Sequence, residues 1–277
     1  MAPGARIDTA VADQVKAIAA ALYPDRTPDL RFHAQCHLSS GHFAGDDAAR
    51  TAAFLEIAND PSVDALWFAK GGYGSCRLGE GWVSQLTEAA KDKTYLGYSD
   101  TGYLLARLYK EGFGRLVHGP MPSDVRRAGG QAAIERALRY LVERSPDTLE
   151  ASVSAESRTV AFNLTILSQL VGTPWQPDLA GHVLMLEEVS EEMYRIDRAL
   201  FHVTSNPAIR KVAGIMLGRC SEIPPNDPDF VLGEVEVFEH WCAQSGIRYL
   251  GRADIGHDGG NKVVPFGRLP MDIPVAG

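Results

Sequence analysis

A turn serine, a loop histidine and a carboxylate closing an apolar run are the residues of this 277-residue chain that could do chemistry together, and that chemistry would be nucleophilic acyl transfer. The serine is Ser99, in Lys93-Thr94-Tyr95-Leu96-Gly97-Tyr98-Ser99-Asp100, where a β-favouring run meets a glycine and then an apolar helical pattern. A tight strand-to-helix turn lifts a serine Oγ clear of a sheet and aims the first unpaired helix amides at any oxyanion formed beside it. Gly97 stands two residues before the serine, where bulk would crowd the turn. The usual elbow has a second glycine two residues after the serine; here that position is Thr101, with Gly102 one later. The same serine would also serve as a helix N-cap, with Asp100 suited to the positive helix end.

Eight histidines compete for the role of base: His33, His37, His42, His118, His182, His202, His240 and His257. His257 is singled out by context, in the polar, glycine-rich stretch Ala253-Asp254-Ile255-Gly256-His257-Asp258-Gly259-Gly260-Asn261 after an expected strand, the kind of loop on which catalytic side chains concentrate. His202 and His240 fall within helical patterns. A third group must hold the imidazole tautomer and stabilise the imidazolium. Glu187 ends the apolar run Val183 to Leu186 and so should emerge at a strand end, with Glu188, Asp197 and Asp254 as competitors. The loop Lys70-Gly71-Gly72-Tyr73-Gly74 fits neither G-x-G-x-x-G nor the P-loop pattern. It would sit at the same sheet edge as Ser99, where bare glycine backbone can approach a ligand and supply an oxyanion amide.

These groups need a frame. Val11, Val15, Ile18 and Leu22 mark a helix; Ala52, Leu55 and Ala58 mark another, ending at Asn59-Asp60-Pro61. Leu30 to Ala34 and Val63 to Ala69 read as strands. The helix after Ser99 carries Leu104, Leu105 and Leu108 and stops at Gly112. Strands alternating with helices predict a parallel, three-layered first domain over residues 1–120. From 121 to 155 the chain changes character and crosses over, with a helix on Ile134, Ala137, Leu138 and Leu141. Beyond, over 156–277, come a helix on Leu164, Leu167 and Leu170, a strand at Val183 to Leu186, a helix on Met193, Ile196 and Leu200, the run Val212 to Leu217, a helix near Val235 and Phe238, and Ile247 to Leu250.

With 45% hydrophobic and 22% charged residues the chain is globular, and a net charge of −8 argues against nucleic acid as the main partner. No run reaches the ~18 apolar residues of a membrane span, and Met1 to Arg6 lacks the apolar centre of a secretory signal, so a cytoplasmic protein without membrane partners is expected. Cys36, Cys76, Cys220 and Cys242 lack C-x-x-C spacing, and no H-E-x-x-H occurs, so neither a disulfide framework, a metal nor a cofactor is expected.

The chain resembles the LD-carboxypeptidases, serine-peptidase family S66, which includes muramoyltetrapeptide carboxypeptidases and microcin C self-immunity peptidases. The resemblance is carried by Phe43 to Arg50, Asp60 to Trp67, Gly71-Gly72-Tyr73-Gly74 with Arg77-Leu78, and Gly97-Tyr98-Ser99-Asp100. It continues through Asn163-Leu164, Gly172-Thr173-Pro174 with Pro177-Asp178, Leu186-Glu187-Glu188, Tyr194 to Arg198, and Gly256-His257. Lys70, Thr101-Gly102 and Ala161-Phe162 depart from the family's usual residues, and the strand that relatives carry ahead of Ala2-Pro3-Gly4 is missing or nearly so.

The resemblance implies a Rossmann-like domain bearing the nucleophile Ser99, a smaller β-rich domain bearing Glu187 and the base His257, and a site at their interface. The Asp100 amide with a Gly71 or Gly72 amide would hold the oxyanion. It also implies a small peptide substrate, the tetrapeptide of recycled cell wall, cut between the L-centre of meso-diaminopimelate and a terminal D-alanine, and a homodimer. Lys70, Arg77 and Arg115 are the cations considered for substrate carboxylates, with none assigned. A microcin-type peptidase acting on an acyl-sulfamoyl adenylate would instead need an aromatic platform such as Trp67, Trp82 or Trp175 in the cleft. A non-catalytic peptide binder, with Ser99 only a cap, is the alternative of another class.

Overall fold

The computed structural model describes residues 1–270 and Ile273; the end of the second domain, drawn from sequence at 277, lies outside the described residues. The first sheet has the order β1 (Ala65–Trp67), β2 (Thr94–Gly97), β3 (Arg115–His118) and β8 (Val264–Pro265). The first three strands are parallel and β8 runs antiparallel to β3. β2 is buried along its whole length, as an inner parallel strand covered on both faces must be. Alternation along β1 sends Leu66 and Phe68 into the core with α2 (Asp47–Asn59) and α3 (Gly102–Glu111). Trp67 and Ala69 face α1 (Thr9–Leu22) and α4 (Gly130–Glu143) instead. The result is the three-layered α/β domain that the alternating pattern predicts.

The second sheet has the order β7 (Tyr249–Arg252), β6 (Gly214–Ser221), β5 (His182–Val189), β4 (Arg158–Asn163) and β9 (Gly267–Arg268). Its first four strands are parallel, and β9 closes it antiparallel to β4. Helices α5 (Leu164–Leu170), α6 (Met193–Ser205) and α7 (Glu234–Ser245) cover one face. One apolar core runs from Phe54, Leu104 and Leu108 of the first domain through Phe162 and Leu164 to Leu186, Ile215 and Phe238 of the second. The two sheets are therefore fixed to each other by continuous packing, which is what holds groups from separate sheets in register.

Leu30 to Ala34, expected as a strand, is not one: Ala34 opens a 3-10 turn over Ala34–His37, and the preceding residues join no ladder. Leu30 and Phe32 alternate because both pack on the core beneath α1, not because the backbone pairs. β3 and β4 were not legible, since four to six residues of mixed polarity carry no period of their own. The four cysteines are free thiols, and among the described residues no helix is long and apolar enough to cross a membrane.

Gly97 closes β2 where a Cβ would lie 2.6 Å from Thr101 Oγ1 and 2.9 Å from Phe68 Cδ2. Thr101 Oγ1 is not free to retreat, because it donates to the Tyr98 carbonyl at 2.8 Å. Gly97→Ala should therefore lower stability by about 1–3 kcal/mol through overpacking. The check is the urea midpoint, expected to fall at unchanged m-value; an unchanged midpoint would refute the steric account.

Candidate active site

Ser99 follows β2 by two residues and opens a 3-10 turn, Ser99–Thr101, that runs directly into α3. Its φ is +58°, in the left-handed region that non-glycine residues adopt mainly under functional constraint. This is the strained elbow geometry rather than an N-cap: the residue in the cap position is Tyr98, and no side-chain cap bond forms. Gly71 passes so close that a Cβ on it would stand 3.1 Å from Ser99 Oγ and 3.5 Å from the Asp100 amide nitrogen. Among the described residues, nothing accepts from the amides of Gly71, Gly72 or Asp100, and Ser99 Oγ makes no hydrogen bond.

The glycine loop is held from three sides. The Ala5 amide donates to the Gly71 carbonyl at 3.0 Å, fully buried Arg50 donates through Nη1 to Gly74 O at 2.8 Å and also to Pro3 O, and the Ser75 amide donates to Asp100 Oδ2 at 2.9 Å. Burial raises the Asp100 pKa against the pull of its hydrogen bonds at Ser75 and Gly74 and of the Arg50 charge.

Glu187 and His257 are brought together. His257 Nδ1 lies 2.5 Å from Glu187 Oε2, with the carboxylate fully buried and the imidazole 6% exposed. Glu187 sits at the carboxyl end of β5, where the pairing with β6 is irregular between Leu186 and Glu188. Gly218 on β6 makes room: a Cβ there would come 2.8 Å from Glu187 Cβ and 2.8 Å from Ile255 Cγ1. No described residue donates to Glu187 Oε1, so the carboxylate's charge is directed to the imidazole. Burial opposes the charged imidazolium, yet the charge and hydrogen bond of Glu187 outweigh it and raise the His257 pKa above the ordinary histidine value.

The other candidates disperse. Glu188 accepts from Asn163 Nδ2 at 2.6 Å and from the Thr165 amide at 2.8 Å, anchoring the start of α5; Asp197 accepts from the Trp241 indole, and Asp254 pairs with Arg219. His33 faces Glu56, His37 meets the Ile7 carbonyl and His182 meets Tyr109. Arg77 binds Asp47, and Arg115 lies at the opposite end of β3 beside Thr94 and the Asp92 carbonyl. Trp82 and Trp175 pack edge-on in the core, and Trp67 lines a separate cavity of about 640 Å³ with Leu30, Phe32 and Leu138. None of the three tryptophans forms the platform an adenylate would need.

Several site residues escape sequence reasoning. The Tyr98 ring packs against His257, tilted by 55° with ring centroids 4.7 Å apart, and its hydroxyl donates to Asp124 Oδ1 at 2.9 Å. Arg219 grips Asp258 and Asp254 on either side of His257, and Arg136 of α4 donates to the Gly259 and Asn261 carbonyls at 3.0 Å each. His118 is buried 3.0 Å from Asn261 Oδ1, which also accepts from the Gly256 amide. An acceptor on that side places the His118 proton on Nε2.

Family models for the N-terminal and C-terminal domains of the LD-carboxypeptidases match residues 1–119 and 156–269. The chain belongs to the LD-carboxypeptidase family. It is a carboxypeptidase of serine-peptidase family S66. It is 30% identical, over 237 residues covering 82% of this chain and 74% of the relative, to the Bacillus subtilis protein named "Probable murein peptide carboxypeptidase". Its fold matches the crystal structure of the Oxalobacter formigenes muramoyltetrapeptide carboxypeptidase, with a TM-score of 0.77 at 24% identity over 98% of this chain and 95% of that one. It also matches the microcin C7 self-immunity protein in complex with glutamyl sulfamoyl guanosine, with a TM-score of 0.76 at 17% identity over 96% and 90%. The N-terminal match spans the glycine loop and Ser99, and the C-terminal match spans Glu187 and His257.

Of the three buried histidines, His118 and His257 should respond oppositely to pH. Burial pushes His118 down to about 4, against the pull of the Glu187 charge and the Asn261 hydrogen bond. Its folded form stays neutral while the unfolded imidazole gains a proton below about 6.5, so stability falls as pH drops from 6.5 towards 4, by up to about 3 kcal/mol. His257 has a raised folded pKa, so its contribution is present below about 6.5 and is lost as pH rises through that higher value. Urea midpoints across pH 4–6.5 should fall less steeply in His118→Gln than in the parent. Parallel slopes would contradict the assignment.

Proposed function

We propose that this chain releases the terminal D-alanine from murein tetrapeptide by covalent catalysis, with Ser99 as nucleophile, His257 as general base and Glu187 as the group that orients and stabilises the imidazole. The observation that carries this reading is the 2.5 Å contact between the buried Glu187 carboxylate and His257 Nδ1. It leaves Nε2 as the nitrogen to receive a proton, on a ring that packs against Tyr98, the residue before Ser99.

His257 Nε2 takes the Ser99 proton as Oγ attacks the carbonyl of the L-centre. The Asp100 amide and the Gly71 or Gly72 amide donate hydrogen bonds to the developing oxyanion. Collapse of the tetrahedral intermediate breaks the C–N bond, and the imidazolium passes its proton to the departing D-alanine amine. Water, activated by the same imidazole, then attacks the ester and restores Ser99. Murein peptide is favoured over an acyl-sulfamoyl adenylate because Trp82 and Trp175 pack in the core and Trp67 lines a separate cavity, so none of the three offers a stacking platform.

L-Ala-D-Glu-mDap-D-Ala should be hydrolysed to release D-alanine, while an aminoacyl sulfamoyl adenylate should not. Ser99→Ala should lower kcat by roughly 10⁴- to 10⁶-fold at unchanged thermal stability. Unchanged turnover would sink the proposal. Since the base must be deprotonated and its pKa is raised, kcat/KM should climb with pH through an inflection above about 6.5. Glu187→Gln should shift that inflection downwards and cut kcat by roughly 10⁴-fold; an inflection that stays in place would mean Glu187 does not set the His257 charge.

A further inference from the structure

Arg127 and Glu222 meet at the seam between the two halves of the molecule. Arg127 follows the 3-10 turn Pro122–Arg126 in the crossing segment, and Glu222 follows β6. The guanidinium is tied into the site from behind: its Nε donates to Asp124 Oδ1 at 3.3 Å, and the same oxygen accepts from Tyr98, whose ring lies on His257. The outer fork is open. Nη1 stands 3.7 Å from Glu222 Oε1, beyond hydrogen-bond length, and among the described residues neither Nη1 nor Nη2 makes a hydrogen bond.

The backbone on the opposite side is strained in a way that an ordinary surface ion pair does not require. Glu222 has φ +55° and Ser190, following β5, has φ +59°. The two are pinned together by the Ser190 amide on the Ser221 carbonyl at 2.9 Å and by Ser190 Oγ on Glu222 Oε2 at 3.1 Å. Left-handed non-glycine residues cost stability and cluster where a ligand is held. They lie here at the carboxyl ends of parallel strands, the edge at which α/β sheets bind ligands, and Ser190 is three residues beyond Glu187.

A cation and an anion held side by side with unused donor and acceptor capacity match a group that carries both charges on one carbon. We propose that Arg127 and Glu222 form a clamp for a zwitterionic amino-acid head group, its carboxylate on Arg127 and its ammonium on Glu222. In the substrate this group is the distal centre of diaminopimelate, and the clamp selects that residue over lysine, which offers an ammonium but no carboxylate. The assignment rests on the LD-carboxypeptidase reading above and names the side chain that reading leaves open. The planar guanidinium suits a carboxylate, and a lone ammonium placed beside it is repelled.

Calorimetric titration in the Ser99→Ala background separates binding from turnover. L-Ala-D-Glu-mDap-D-Ala should bind roughly 10- to 100-fold more tightly than L-Ala-D-Glu-L-Lys-D-Ala, the range of one charge-assisted hydrogen bond. Adding Arg127→Gln should weaken the diaminopimelate peptide alone and erase the preference. Adding Glu222→Gln should weaken both peptides, since both carry the ammonium. Equal affinity for the two peptides, no binding of the diaminopimelate peptide, or equal weakening of both by Arg127→Gln would overturn the clamp. Turnover by the parent protein is scored separately: its absence with both peptides would remove the carboxypeptidase reading, while the binding preference still decides the clamp.

Discussion

A carboxylate with no exposed surface must have a partner, and the contact of Glu187 with His257 is the constraint that the second domain is arranged to meet. The irregularity in the β5–β6 pairing and the bare backbone of Gly218 open the space for the carboxylate. The imidazole arrives from a loop, and loops hold catalytic geometry only when they are fastened. Here Arg219 binds acidic residues on both sides of His257, while Arg136 reaches from the crossing helix to two carbonyls beyond it. Gly259 lets this loop lie against the backbone at Ala128 and Gly129, where a Cβ would come 2.5 Å from a carbonyl oxygen. His118, close enough to feel the opposed charges of Glu187 and His257, is kept neutral down to about pH 4 by burial.

The Ser99 side of the site is built around close approach of backbone. Gly71 can pass Ser99 only because it lacks a side chain, and Gly4 can pass the Gly71 carbonyl for the same reason, a Cβ there falling 2.7 Å from that oxygen. Such stacking leaves carbonyls that need donors. Arg50 supplies them from the interior, its guanidinium stacked on Phe43 at 4.7 Å and reaching both the amino-terminal segment and the glycine loop. The glycine that sequence reading found displaced by one residue has its own explanation: a Cβ on Gly102 would stand 3.3 Å from Ile166 and 3.4 Å from Phe162 of the second domain. It serves the packing of α3 across the domain seam rather than the turn.

What could be read from sequence was what is local. The strand, glycine and helix around Ser99 follow from propensity and from an apolar repeat, and Glu187 announces itself by ending an apolar run. His257 stood out only by loop context, and its link to Glu187 over 70 residues became explicit through resemblance to a family rather than through any period. Tyr98 was invisible because a tyrosine in a buried strand-like run reads as core, which it also is. Asp124 and Arg127 sit in a segment with no regular pattern, and their meaning depends on a partner from another sheet. Leu30 to Ala34 shows the converse failure, an alternation produced by packing on a helix with no strand beside it.

Ser99 and His257 come from different domains, so their alignment would ordinarily depend on how those domains sit. Tyr98 reduces that dependence. Its backbone carries Ser99 out of β2, its ring lies against His257, and its hydroxyl is tied to Asp124, which the Met121 amide holds in turn at 2.8 Å. One side chain thus references the serine, the imidazole and the crossing segment to a common point. Separating the domains would strip the ring from the imidazole or the hydroxyl from the buried Asp124, which would keep only its Arg127 and Met121 donors. The Ser99 turn and the imidazole are therefore held in register through Tyr98.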